Sequence, residues 1–427
     1  MPQYSSMDKN SLEEEYKKLS EQYASYKAQE LSLNMARGKP GAEQLDISND
    51  MLNVLTPETA FKTEDCPDCR NYGGLTGIEE ARKLFGDILG VSSDNIFVGG
   101  NSSLNMMFDT IACMMEQGKN GEKPWNQQGK IKFLCPVPGY DRHFGVTEYF
   151  GIEMVNVPMT ATGPDMDIVE DLVLKDSSIK GIWCVPKYSN PQGITYSDET
   201  VKRFAALKPA AKDFRIMWDN AYCIHDITDT PDTLLNIFDE CKKTGNEDMV
   251  FEFCSTSKIT FPGAGVAAVA ASESNLELLK KRYNFQTIGY DKLNMLRHVL
   301  YFKNLDGVME HMKKHKAILQ PRFDMVTDKL EKELGEYGVA TWTKPNGGYF
   351  VSVDVTEGCA KRVVALCKEA GVVLTGAGAT YPYGKDPKDS NIRIAPTYPP
   401  MSELETAMDI FCICTKIAAL EKIIHNS

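Results

Sequence analysis

Between about residue 50 and residue 270, short apolar runs alternate with stretches of helical periodicity. The segments 96–100, 131–135, 153–157, 179–185, 214–218, 249–254 and 266–270 are short, apolar and rich in β-branched or aromatic residues, and read as strands. Between them, 78–89, 104–115, 166–174 and 198–207 repeat apolar residues at helical spacing. Apolar strands separated by helices predict an α/β fold with a mostly parallel, doubly wound sheet.

The pattern changes on both sides of this block. Residues 8–28 are polar, with Leu12, Tyr16, Leu19, Tyr23 and Tyr26 at helical intervals, and read as a surface helix. The stretch Leu31 to Gly41 reads as a loop from its glycines and Pro40. After about 290 a long helical region runs to Leu334. Strands near 339–343, 349–354 and 391–395, with helices near 359–369 and 402–424, predict a smaller α+β domain. The expected organisation is an N-terminal arm over 1–48 packing with the small domain, a large domain over 49–300, and a small C-terminal domain over 301–427.

Length agrees with this division, since 427 residues exceed what one core supports. A net charge of −12 argues against a general nucleic-acid binder. The polar start Met1 to Lys9 lacks signal-peptide character, no apolar run is long enough for a membrane helix, and the cysteines are scattered. A reduced, cytoplasmic protein is expected. Cys66-Pro-Asp-Cys69 has no second pair at zinc-ribbon spacing, and the histidines form no HExxH pattern, so no metal is expected.

Candidate chemistry gathers at the ends of the predicted strands, where α/β sheets collect ligands. Ser255-Thr-Ser257-Lys258 closes the strand 249–254 and is followed by the turn-rich Pro262 to Gly265. A lysine on an apolar scaffold can have its pKa lowered, and a neutral amine forms Schiff bases. Ser255 and Ser257 set hydroxyls beside it. Gly99-Gly100-Asn101-Ser102-Ser103 stands at a strand-to-helix junction, where free N–H groups and the helix dipole favour an anion. Tyr140, in Pro138-Gly-Tyr, can stack on a planar ring. Asn190, before Pro191, offers an amide. Asp219 ends an apolar strand, where a carboxylate needs a cationic partner, and Tyr222 follows with a phenol.

Pyridoxal 5′-phosphate would use each of these groups. The helix start and the serines suit the phosphate, and Tyr140 the ring. Asp219 suits the pyridine nitrogen, and Asn190 and Tyr222 the ring oxygen. Lys258 would form the Schiff base and then move a proton at the substrate Cα.

These motifs resemble the class I pyridoxal-phosphate-dependent aminotransferases of fold type I, in the MocR-like or subgroup Ic aspartate aminotransferase branch. The resemblance is carried by Asn34-Met-Ala-Arg-Gly-Lys-Pro40, Arg70-Asn-Tyr-Gly-Gly-Leu-Thr-Gly77, Ser255-Thr-Ser-Lys-Ile-Thr-Phe261 and Asn391-Ile-Arg-Ile-Ala-Pro396. It spans nearly the whole chain and implies a homodimer with active sites at the interface. It also implies that Arg393 clamps the substrate α-carboxylate, that Gly38 lies in a loop closing over the substrate, and that Tyr72 reaches the neighbouring subunit's phosphate. Asn190 and Tyr140 would also face the substrate.

One position departs from the family. Most members carry a phosphate-binding arginine where this chain has Val266. Lys292, Asn294 and Arg297 are candidates to replace it, with the choice open at this point. Arg37 and Lys39 are candidates to read a distal carboxylate. The expected activity is amino transfer from L-aspartate to 2-oxoglutarate by a ping-pong cycle. Alternatives keep the cofactor with 2-aminoadipate, alanine or an aromatic donor, or make the chain a β-lyase or decarboxylase. A MocR-type transcriptional regulator is disfavoured, because the roughly 30 residues before the first motif are too few for a DNA-binding module. No membrane or nucleic-acid partner is expected.

Overall fold

The computed structural model describes residues 3–119 and 121–426. Its centre is an eight-stranded sheet in the order Ile96–Val98, Ala267–Ala271, Val250–Ser255, Arg215–Asp219, Ile179–Cys184, Lys132–Val137, Glu153–Thr160 and Gly163–Pro164. The five strands from Val250–Ser255 to Glu153–Thr160 run parallel. Ala267–Ala271 is antiparallel to both of its neighbours. The inner strands are buried along their whole length, which explains why they read as unbroken apolar runs.

Apolar clusters fill both faces of this sheet. One includes Phe85, Leu134, Ile182, Phe204 and Trp218. The other includes Phe97, Met107, Phe133, Trp183 and Phe251. A separate antiparallel sheet of Ala340–Trp342, Val351–Val355 and Asn391–Ile394 packs with the helix Met401–Asn426. The helix Lys9–Lys27 lies along that last helix, and Tyr23 Oη donates to the Leu366 carbonyl at 2.9 Å.

Three features depart from the sequence reading. The stretch read as a loop contains the strand Leu33–Asn34, paired parallel with Val372–Val373. Its partner is too distant in sequence for local periodicity to reveal. The helical region after 290 is two helices, Lys292–Phe302 and Leu305–Leu334. They divide where Lys303 takes φ 66° and the Asn304 side chain accepts from the Gly307 N–H. The helices Asp141–Tyr149, Ile237–Thr244 and Glu273–Gln286 were not anticipated. Among the described residues no helix is long and apolar enough to cross a membrane.

Candidate active site

Parallel strands end on the same edge, and that rule assembles the site. Asp219 is the last residue of its strand, and Ser255 is the last of the next. Lys258 follows Ser255 at the end of the single 3-10 turn Thr256–Lys258. Tyr140 and Asn190 follow the strands ending at Val137 and Cys184. Ile96–Val98 pairs antiparallel to a strand that is itself antiparallel, so its end, with Gly99 to Ser103, lies on this edge too.

Lys258 Nζ sits 4.7 Å from the centre of the Tyr222 ring and 5.9 Å from that of Tyr349. Burial lowers its pKa, opposed by the negative charge of Asp219. The turn below it is tightly fixed. Val266 N–H donates to Thr256 Oγ1 at 2.9 Å, Thr256 N–H to the Val266 carbonyl at 2.9 Å, and His298 bonds Thr256 and Thr260. Burial also holds the Tyr222 and Tyr140 phenols protonated far above the ordinary tyrosine range, reinforced by neighbouring negative charge.

Asp219 is 2% exposed. Its Oδ2 lies 2.9 Å from His143 Nε2, while its Oδ1 is buried without a protein partner. His143 stacks on Trp183 with ring centres 4.3 Å apart. Sequence reasoning missed His143. The available signal was its place three residues after Tyr140, the residue that caps its helix, and the two ring centres lie 4.9 Å apart. His225 was missed as well. It lies against Tyr222 and Tyr349, and burial, helped by the positive charge of Lys258, holds its pKa well below the ordinary histidine value.

On the facing wall, Arg393 extends from the small sheet. Its Nη1 donates to Asn190 Oδ1 at 3.1 Å and to Asp141 Oδ1 at 2.9 Å. Nη2 reaches Thr375 Oγ1 at 3.4 Å, and the guanidinium lies 4.7 Å from the Phe350 ring centre. Using Asn190 Oδ1 as the acceptor leaves its amide hydrogens free to donate. Gly38 packs against the same ring, where a Cβ would overlap the far edge of Phe350, so a larger residue requires the ring or the loop to shift. Arg37 beside it is exposed, with no side-chain hydrogen bond or ion pair among the described residues.

The helix Ser103–Glu116 begins at Ser102, and Gly100 before it has φ 69°, a left-handed conformation suited to glycine. A cavity of about 490 Å³ opens beside this helix start, lined by Gly100, Asn101, Gly265, Val266, Asn294 and Arg297. Lys292 Nζ donates to the carbonyls of Asn71 at 2.7 Å and Gly73 at 2.6 Å. Asn294 Nδ2 donates to the carbonyls of Ala264 and Gly265, both at 3.0 Å. Arg297 Nη2 donates to Asn294 Oδ1 at 2.5 Å, and its Nε is buried without a partner. Tyr72, between the two residues whose carbonyls Lys292 holds, is 82% exposed. A wider cleft of about 840 Å³, bordered by Val137, Thr341 and Tyr381, contains none of the predicted site residues.

The family described as aspartate amino-transferase matches residues 7–427. The chain belongs to this family. An aspartate aminotransferase of Corynebacterium glutamicum is 46% identical over 396 residues, covering 92% of this chain and 91% of its own. A crystal structure of an aspartate transaminase from that organism superposes with a TM-score of 0.94 at 44% identity, over 97% of this chain and 98% of the other. An alpha-aminoadipate aminotransferase from Thermus thermophilus, solved with N-(5′-phosphopyridoxyl)-L-leucine, shares the fold with a TM-score of 0.73 at 17% identity, over 92% and 93% of the two chains.

Aminotransferases of this family are fold type I enzymes that use pyridoxal phosphate and exchange groups between amino and oxo acids. The residues present fit that cofactor. The unpartnered buried oxygen of Asp219 is an acceptor facing a site that holds a lysine, and the helix start beside a cavity is a ready anion cradle.

Proposed function

We propose that this aminotransferase acts on L-aspartate and 2-oxoglutarate, giving oxaloacetate and L-glutamate by a ping-pong cycle. The observation that carries the reading is a pair of facing walls. One presents the Lys258 amine beside the Asp219 carboxylate, and the other presents Arg393 beside Asn190. Similarity to an aspartate aminotransferase over nearly the full length supports the choice of substrate.

When bound, pyridoxal phosphate supplies an electron sink for the carbanion formed at the substrate Cα. Asp219 would hold the pyridine nitrogen, with His143 fixing the carboxylate. Tyr222 and the Asn190 amide would hold the ring oxygen. Tyr140 would cover the ring. Asn101 to Ser103, Ser255 and Ser257 would hold the phosphate. Arg393 binds the α-carboxylate as a fork. The Lys258 amine, held toward its neutral form by burial, would take the proton from the substrate Cα and hand it on to the cofactor's carbon rather than back to Cα.

Of the three candidates to replace the arginine absent at Val266, we assign Arg297. The Lys292 ammonium and the Asn294 amide are already engaged by backbone carbonyls, whereas Arg297 keeps a donor free beside the helix start. Arg37, unpaired next to Gly38, is assigned to the distal carboxylate. The enzyme works as a homodimer in the cytoplasm. Exposed Tyr72 (82%), Phe285 (93%) and Ile288 (64%) support a subunit interface, with Tyr72 reaching the partner's phosphate site. Residues 1–48, 49–300 and 301–427 act as arm, large domain and small domain.

A half-reaction tests the substrate. Purified holoenzyme is mixed with single amino acids and no oxo acid, and the absorbance of the cofactor is followed. Rapid conversion with aspartate and glutamate, and slow conversion with alanine and phenylalanine, is expected. Faster conversion with another amino acid would keep the chemistry and discard this substrate.

A further inference from the structure

Arg393 and Asp141 come from different parts of the molecule. Arg393 lies on the strand Asn391–Ile394 of the small sheet, and Asp141 opens the helix that follows a strand of the large sheet. They meet as an ion pair of 2.9 Å, with the Arg393 side chain 7% and the Asp141 side chain 36% exposed. The remaining donors of the guanidinium are less well used. Nη2 makes only the 3.4 Å contact with Thr375, and Nε is buried without a partner. The protein thus sets a carboxylate of its own on the cation that the proposed function gives to the substrate's carboxylate.

We propose that Asp141 is an affinity-setting residue of the carboxylate site. Its carboxylate competes with the α-carboxylate of amino and oxo acids for Arg393 and so sets their KM. This rests on Arg393 being the α-carboxylate clamp. A substrate that displaces Asp141 gains only the difference between its own bonds and those it replaces. A substrate that binds Nη2 and Nε while Asp141 stays on Nη1 meets a like charge nearby. Both arrangements weaken carboxylate binding, so the expected sign does not depend on which occurs. Two plainer roles predict otherwise. As an acid in the first turn of its helix, Asp141 would leave KM unchanged on replacement. As a brace that orients Arg393, its loss would raise KM.

The test uses the full-length holoenzyme and the variants Asp141→Asn, Asp141→Ala, Arg393→Ala and the double variant Asp141→Asn/Arg393→Ala. Asparagine keeps the shape and removes the charge, and melting temperatures verify folding. KM for aspartate and for alanine is expected to fall by a similar factor, about tenfold, because both carry the same α-carboxylate. The turnover number kcat should stay level or drop, since binding tightens in the ground and transition states alike. In the Arg393→Ala background the Asp141 effect should vanish. An unchanged or raised KM in folded Asp141 variants overturns the proposal while the clamp stands, provided Arg393→Ala itself raises KM. If Arg393→Ala leaves KM unchanged, the clamp is wrong and the role of Asp141 falls with it.

Discussion

The two walls of the site are built on opposite plans. The lysine wall comes from neighbouring strands of one buried sheet, with Asp219 and Lys258 on adjacent strand ends. Its groups are fixed by short-range contacts: His143 on Asp219, and the Thr256–Val266 exchange beneath Lys258. Burial shifts the lysine toward its neutral form and keeps the phenols protonated. The arginine wall joins segments hundreds of residues apart, near 37, 141, 190, 350, 375 and 393. It pairs Arg393 with Asp141, and among the described residues Arg37 has no side-chain partner. Proton transfer needs a dry environment that tunes a pKa, whereas recognition of an anion needs charges that can change partners.

The sharpest test of this contrast is Lys258→Ala. Loss of the group proposed to move the proton should reduce the aspartate half-reaction about 10⁴-fold, as read by stopped-flow absorbance. The pH dependence follows from the same wall. Schiff-base formation needs the unprotonated amine, and burial lowers the Lys258 pKa from the ordinary 10.5. The rate at which apoprotein takes up pyridoxal phosphate should therefore rise with pH and level off below 10.5. A rise that continues through that value would show an amine in bulk-like surroundings.

Asp219→Asn comes next. It leaves the fold intact but removes the charge, and about 10²- to 10³-fold of kcat should disappear, in the range found when a preorganised electrostatic group is removed. His143→Asn should cost less, about tenfold, because it acts through Asp219. Equal losses would mean that His143 does more than hold the carboxylate.

On the arginine wall the effects should be smaller and selective. Arg37→Ala should cut kcat/KM for aspartate about tenfold, in line with one charge-assisted hydrogen bond, with alanine little affected. Equal losses for the two substrates would remove Arg37 from the recognition of the distal carboxylate. The smallest effect expected concerns Arg297. Its replacement by Gln should raise the dissociation constant of the cofactor about fivefold, measured by fluorescence titration of the apoprotein, because backbone N–H groups and serines share the phosphate. An unchanged constant would return that role to Lys292 or to the partner subunit.

Much of the lysine wall was legible in the chain. Lys258, Asp219 and Tyr140 each stand at or just after the end of an apolar run, and parallel strands must deliver their ends to one edge. His143 stayed hidden because a histidine in an unanticipated helix carries no local mark of the carboxylate it meets. The arginine wall was less legible. Arg393 stood out only through likeness to a family, and nothing near Asp141 in sequence announces its pairing with a residue more than two hundred positions away.

The sequence by itself determined the main alternation of strands and helices, the smaller α+β domain and the place of Lys258, Asp219 and Tyr140 at strand ends, because these follow from periodicity and chain direction. Tertiary structure alone decided which charges meet. It brought Asp141 to Arg393, engaged Lys292 with the loop carbonyls of Asn71 and Gly73, and gave Arg37 and the Nε of Arg297 no partner among the described residues. Ion pairs between distant segments depend on the packing of whole layers, and local pattern does not encode that.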